Sequence, residues 1–154
     1  MTVMEIKNTI GKGEGYQIEF KSSKDFLSKD VFDTVCAFSN REGGTILLGI
    51  DNSGKIIGVN PESKEKIKKD FVTSINKINR FYPPLYFPIE EIQIEGKIVL
   101  IVNVPECNQV CRHKGRIIDR NNDSDIDITD NFELVRQLYI RKGGSYFVNT
   151  VTDF

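Results

Sequence analysis

Two glycine-bearing segments constrain this chain most. The first is Gly13-Glu14-Gly15-Tyr16-Gln17-Ile18-Glu19-Phe20-Lys21, and the second, about two dozen residues on, is Ala37-Phe38-Ser39-Asn40-Arg41-Glu42-Gly43-Gly44-Thr45-Ile46-Leu47-Leu48-Gly49-Ile50-Asp51. In a strand over Tyr16 to Lys21, alternation sends Ile18 and Phe20 toward a core and sets Glu19 and Lys21 together on the other face. Thr45 to Ile50 is a short unbroken apolar run, the pattern of a central strand covered on both sides. Gly43-Gly44 permits positive φ and a tight entry into it.

Between the two strands, Ser28 reads as an N-cap. Val31, Val35 and Phe38, with Phe32, Cys36 and Ser39, recur at helical intervals and predict a helix over Lys29 to Asn40. Asp51-Asn52-Ser53-Gly54 is a turn signal, with Lys55 to Val59 expected to return as a hairpin strand. Pro61 opens a polar helix from Glu62 to about Asn79, striped by Ile67, Phe71, Ile75 and Ile78; Lys64, Lys66, Lys68 and Lys69 lie mostly off the stripe, as on a solvated face. After Pro83-Pro84, Ile89 to Glu95 and Lys97 to Val104 form a hairpin around Glu95-Gly96. Arg116 to Asp119 is a short strand candidate, and the acidic run Asn121 to Asp127 is expected to be exposed. Thr129 caps a last helix whose buried side is Phe132, Val135, Leu138 and Tyr139. The expected architecture is α+β: one domain over 13–154, a mixed sheet with helices packed on it, preceded by residues 1–12 as a short helix or an arm packed on a neighbour.

At 154 residues the chain suits one domain. Its longest apolar run, Ile98 to Val104, is strand-sized and broken by Asn103, and the first residues lack a signal-peptide pattern, so the expectation is a cytoplasmic protein without membrane contact. Twenty-one basic against twenty-two acidic residues leave a net charge of −1 and no long-range field for a polyanion; nucleic-acid binding has to be local. Cys36 falls on an apolar helix face as a buried thiol. Cys107, Cys111 and His113 form C-x(3)-C-x-H in a loop, short of the four ligands of a structural zinc site, and read as reduced loop thiols beside a mobile histidine.

Glycines flanking Glu14 can bend the chain so that Glu14 and Glu19 converge on the end of the Thr45 to Ile50 strand, where Asp51 sits. Three carboxylates at close range require a divalent cation such as Mg²⁺ or Mn²⁺, or raised pKa values, and Lys21 stands beside them to neutralise a phosphate. The opposing reading makes Glu19 and Lys21 a surface ion pair and Asp51 the start of a turn. A second constellation is basic: Arg112, Lys114, Arg116 and Arg120 around His113, with Arg141 and Lys142 at the end of the last helix, fit for phosphate contacts. Tyr16, Tyr139 and Tyr146 are suited to base stacking or to core packing. No phosphate-binding glycine motif of the G-x(4)-G-K-[ST] or G-x-G-x-x-G type occurs.

The ordered set E-x(4)-E-F-K, A-F-x-N, the double glycine, a strand ending in G-[IV]-D, and a C-terminal Y-x-R-K-G resembles the Schlafen AlbA-2 domain from Gly13 to Tyr146. The resemblance implies a nucleic-acid-binding module, RNA or DNA, of a transcriptional regulator or defence-associated protein, and a homodimer. Some members are RNA endonucleases using three acids. By position these are Glu14, Glu19 and Asp51 here, although nuclease-active relatives commonly carry two adjacent aspartates where this chain has Asp51-Asn52. Relatives that continue into an ATPase-like module are described as ATP-binding; these 154 residues leave no room for one, so ATP is not expected here unless they are a fragment. Three functions follow as expectations: nucleic-acid binding, metal-dependent RNA cleavage, or protein interaction without nucleic acid.

Overall fold

A computed structural model describes residues 1–143 of the chain. Its elements are helix α1 (Val3–Lys12), strand β1 (Ile18–Lys21), helix α2 (Val31–Asn40), strand β2 (Gly44–Leu48), helix α3 (Lys64–Ile75), strands β3 (Phe81–Tyr82), β4 (Glu90–Ile94), β5 (Lys97–Val104), β6 (Arg112–His113), β7 (Ile118–Asn121) and β8 (Ser124–Asp127), and helix α4 (Phe132–Arg141). The main sheet runs β1-β2-β5-β4, with β1 and β2 parallel and the other pairs antiparallel. Two small hairpin-like sheets, β3-β6 and β7-β8, flank it. The architecture is α+β with a mixed sheet, as expected.

The sheet is buried on both faces. Ile46, Leu48, Leu100 and Val102 pack with Val35, Phe38, Phe71 and Ile75 of α2 and α3, while Phe20, Leu47, Val99 and Ile101 pack with Ile6 of α1 on the reverse side. Successive residues of β2 therefore serve different cores, the reason its sequence shows no polar alternation. A smaller cluster of Val110, Ile117, Ile128, Val135 and Leu138 holds α4. Among the described residues no helix is long and apolar enough to cross a membrane.

Residues 3–12 form a helix, capped by Thr2, whose Ile6 closes the second core; the helical alternative for the N-terminus holds. Several other local expectations need correction. Asp30, not Ser28, sits at the N-cap of α2. The helix expected over 62–79 stops at Ile75, after which Asn76 bonds the Leu85 carbonyl through its side chain. Lys55 to Val59 forms only isolated bridges, Ile50 with Ile56 and Val59 with Ile98, because Gly58 at φ +79 packs against Lys97 and bends the segment. The acidic run holds β8, exposed but paired with β7. Phe132 is 81% exposed and only Val135 and Leu138 are buried in α4.

Candidate nucleic-acid interface and carboxylate cluster

The β1-β2 register pairs Glu19 with Ile46 and Lys21 with Leu48, so both charged side chains share the α2 side of the sheet, while Phe20 faces α1. Gly13 at φ +81 turns the chain out of α1, and Gly15 N–H bonds the Ile18 carbonyl. The loop returns Glu14 onto the strand, where its Oε1 accepts the Phe20 N–H at 2.9 Å. Glu14 and Glu19 thereby meet and share a hydrogen bond. Burial first, and that shared bond second, push Glu19 up to about 7 against the pull of Lys21 and Arg120.

Glu19 is buried rather than part of a surface pair. Its Oε1 lies 2.8 Å from Arg120 Nη1, which lies 2.8 Å from Asp125 Oδ1; Asp125 Oδ2 in turn accepts the Thr34 hydroxyl at 2.5 Å. Lys21 Nζ is 2.8 Å from Asp30 and 3.7 Å from Glu19. The structure brings Glu14, Glu19 and Lys21 together and leaves Asp51 out. Asp51 Oδ1 accepts the N–H groups of Ser53 and Lys55 and the Ser53 hydroxyl, bonds that hold its pKa below the usual aspartate value. The turn chemistry legible in Asp51-Asn52-Ser53-Gly54 takes up Oδ1 of the carboxylate expected to bind metal. Among the described residues no group of three His, Cys, Asp or Glu side chains is arranged to hold a metal ion.

The expected basic cluster divides. Arg120 is not a phosphate ligand on the surface: its guanidinium is fully buried against Glu19, Asp125, the carbonyls of Gly15 and Ile18, and the face of Phe38 at 4.8 Å. Lys142 is equally withdrawn. Its ammonium bonds the carbonyls of Ser39 and Cys107 and pairs with Glu106, tying the end of α4 to the end of α2. His113 does not lie in a mobile loop. Arg80 Nε donates to its Nε2 at 3.1 Å, so Nδ1 carries the proton toward Asp33 at 2.8 Å, and the ring stacks on Phe81. Burial pulls its pKa below the usual histidine value. Arg116 reaches Asp33 at 2.7 Å and is partly solvated; Arg112 bonds the Gly115 carbonyl; Lys114, at φ +52, is exposed. Tyr139 is half-buried against the α4 core, and Tyr146 lies outside the described residues.

Sequence reasoning missed four other cations. Lys29, Lys69, Lys77 and Arg80 line a groove of about 400 Å³ together with Phe26 and Phe32. Asp70 is its one acidic lining residue, and Asp70 is paired with Lys66 at 2.8 Å. The lysines expected on one solvated face of α3 in fact split, Lys64 and Lys68 clamping Glu91 while Lys69 turns to the groove. The backbone N–H of Lys114 bonds the Arg80 carbonyl, tying the 112–116 turn to the segment that carries Arg80. The lining residues come from two stretches, 26–32 and 69–80, and spacing in the chain gives no sign of their meeting.

A family model described as Schlafen, AlbA_2 matches residues 14–145, and the chain belongs to that family. It is 32% identical over 101 residues to an uncharacterised ATP-binding protein of Ureaplasma parvum serovar 3, in an alignment covering 59% of this chain and 28% of that protein. The chain thus spans little more than a quarter of that relative's length. Among solved structures it is similar to the N-terminal domain of a protein from Nitrosomonas europaea described as related to the ATP-dependent DNA helicase RecG (27% identity, TM-score 0.55, covering 69% of this chain and 74% of that one). It also shares its fold with the DIP2311 protein of Corynebacterium diphtheriae (17% identity, TM-score 0.59, covering 81% and 25%).

Proposed function

We propose that this domain is a nucleic-acid-binding module of a regulatory or defence-associated protein. The observation that carries the reading is the groove in which Lys29, Lys69, Lys77 and Arg80 converge on a surface whose one lining acid is already neutralised. Such a surface attracts phosphates locally although the whole chain is near neutral, and the exposed Phe26 ring beside it offers a base a flat apolar partner. The helicase-related description of the Nitrosomonas relative is consistent with a nucleic-acid setting. Nothing in the groove presents a helix for major-groove reading, so affinity without strong sequence preference is expected. Fluorescence anisotropy with single-stranded RNA and DNA over a salt series tests it. Replacing Lys69 and Lys77 together by Ala should weaken binding and flatten the salt slope by roughly 0.7 per lost phosphate contact. An unchanged slope would place the surface elsewhere.

A second reading, RNA cleavage involving Glu14, Glu19 and Lys21, is favoured by the convergence of the two carboxyls beside an ammonium. It predicts cleavage in Mn²⁺ that Glu19→Gln abolishes and that Asn52→Asp raises. Intact RNA in the wild type and in Asn52→Asp would leave binding as the function.

A further inference from the structure

The far end of α2 holds a second cationic feature that the groove does not use. Arg41, immediately after α2, makes a two-pronged contact with Asp119, Nε to Oδ1 at 2.6 Å and Nη2 to Oδ2 at 2.8 Å. Arg141, in the last turn of α4, reaches the same Oδ1 from 3.9 Å. The Lys142 ammonium sets this meeting by pinning the end of α4 onto the Ser39 and Cys107 carbonyls. Two guanidinium groups thus converge on one carboxylate, which also accepts the Arg120 N–H. The Arg41 guanidinium carbon lies over one face of the Tyr16 ring, 5.9 Å from its centroid.

We infer that Arg41 and Arg141 form a phosphate site, holding one backbone phosphate of a single strand while Tyr16 stacks on the adjoining base. Guanidinium forks match phosphate oxygens, and Asp119, the carboxylate that both guanidinium groups reach, balances one of the two charges while Glu42 stands at the rim. Burial and the neighbouring Arg41 pull Arg141 below the usual arginine value, a cost that an arriving anion relieves. Glu42 faces Arg141 as a rim acid on an exposed residue and works against the site. α2 has 10 residues, about 15 Å of helix, and this site and the Lys29 groove lie toward its opposite ends. The inference rests on the nucleic-acid reading for its ligand, but its geometry is independent of the groove.

The test uses the full chain and a fluorescein-labelled 12-nucleotide single-stranded RNA. Arg141→Gln, at the solvent edge of the cluster, should weaken binding about tenfold at low salt and lower the salt slope by about 0.7, with Tm unchanged. Glu42→Gln should strengthen it. Affinity and slope unchanged in both variants would overturn the proposal. ¹⁵N spectra of the arginine Nε–H groups, with pyrophosphate and with the RNA, separate the sources. If the wild type ignores RNA yet pyrophosphate moves the Arg41 and Arg141 signals, the phosphate site stands as a site for free phosphate and the binding function of the groove fails. If neither ligand moves them, the site is overturned.

Discussion

Asn40 serves the backbone of Cys111 as a strand partner would. Its Oδ1 accepts the Cys111 N–H at 2.7 Å and its Nδ2 donates to the Cys111 carbonyl at 3.0 Å, with a further bond to the Ile118 carbonyl at 2.8 Å. The side chain is wholly buried. Asn40→Leu keeps approximate volume but removes three bonds to buried backbone groups, leaving the Cys111 carbonyl only the weak Cys36 thiol donor, and each group left unpaired costs about 1–3 kcal/mol. Urea denaturation should therefore show a loss of several kcal/mol or no folded protein. A loss under about 1 kcal/mol would mean that water replaces the amide.

Arg120 and Arg116 look alike in the chain and should behave oppositely. Arg120→Ala leaves Glu19 and Asp125 as buried carboxylates without their cation, a change expected to cost about 3–5 kcal/mol. Arg116→Ala removes a pair whose arginine is 42% exposed, and after solvent screening its cost should stay below about 1 kcal/mol. Equal losses for the two variants would contradict the burial of Arg120.

Stability should vary with pH through Glu19. The carboxyl titrates near 7 in the fold against 4.5 in a free chain, so the fold binds its proton more tightly than the unfolded state does. That contribution is complete below about pH 4.5 and disappears as pH rises through 7. His113 acts in the opposite direction. Depressed by burial, it supports the fold above its free value of 6.5, and that support is lost as pH falls. A Tm profile from pH 4 to 9 should fall on the alkaline side in the wild type and flatten there in Glu19→Gln, with the acid limb retained. An alkaline limb unaltered by Glu19→Gln would assign the titration to another group.

At the entry to β2, a Cβ built on Gly44 would lie 2.6 Å from the Phe38 ring, and one on Gly43, at φ +82, 2.5 Å from the Val104 carbonyl oxygen. Gly44→Ala should cost about 1–3 kcal/mol by overpacking. Further along, Leu47→Ala and Leu48→Ala should each cost about 2–5 kcal/mol, because each fills a different core. Thermal or urea denaturation measures all three, and a small loss at one leucine would show that its face of the sheet is loosely packed.

The strands and helices that sequence patterning located are those whose cause is local: the apolar run of β2, the hairpin at Glu95-Gly96 and the helical stripe of α2. The shared face of Glu19 and Lys21 was legible for the same reason, since pleating alone sets it. Arg120 was not, because it lies among Arg112, Lys114 and Arg116 in the chain and nothing nearby announces that Glu19 and Asp125 will enclose it. Lys142 was misread similarly, as a phosphate contact, when its partners are carbonyls at the end of α2. In Asp51 two local signals meet on one carboxylate, the acidic motif and the turn, and three short-range hydrogen bonds commit its Oδ1 to the turn.

The bond from Arg120 to the Gly15 carbonyl joins residues 105 positions apart, which sets an order of events during synthesis. A ribosome-bound chain that has displayed Glu14, Glu19, Lys21, Gly43-Gly44 and Asp51 still lacks the guanidinium on which the Gly15 to Glu19 turn settles. The contacts of Arg120 with Glu19 and with the Gly15 and Ile18 carbonyls can therefore form only after the β7-β8 hairpin has left the exit tunnel.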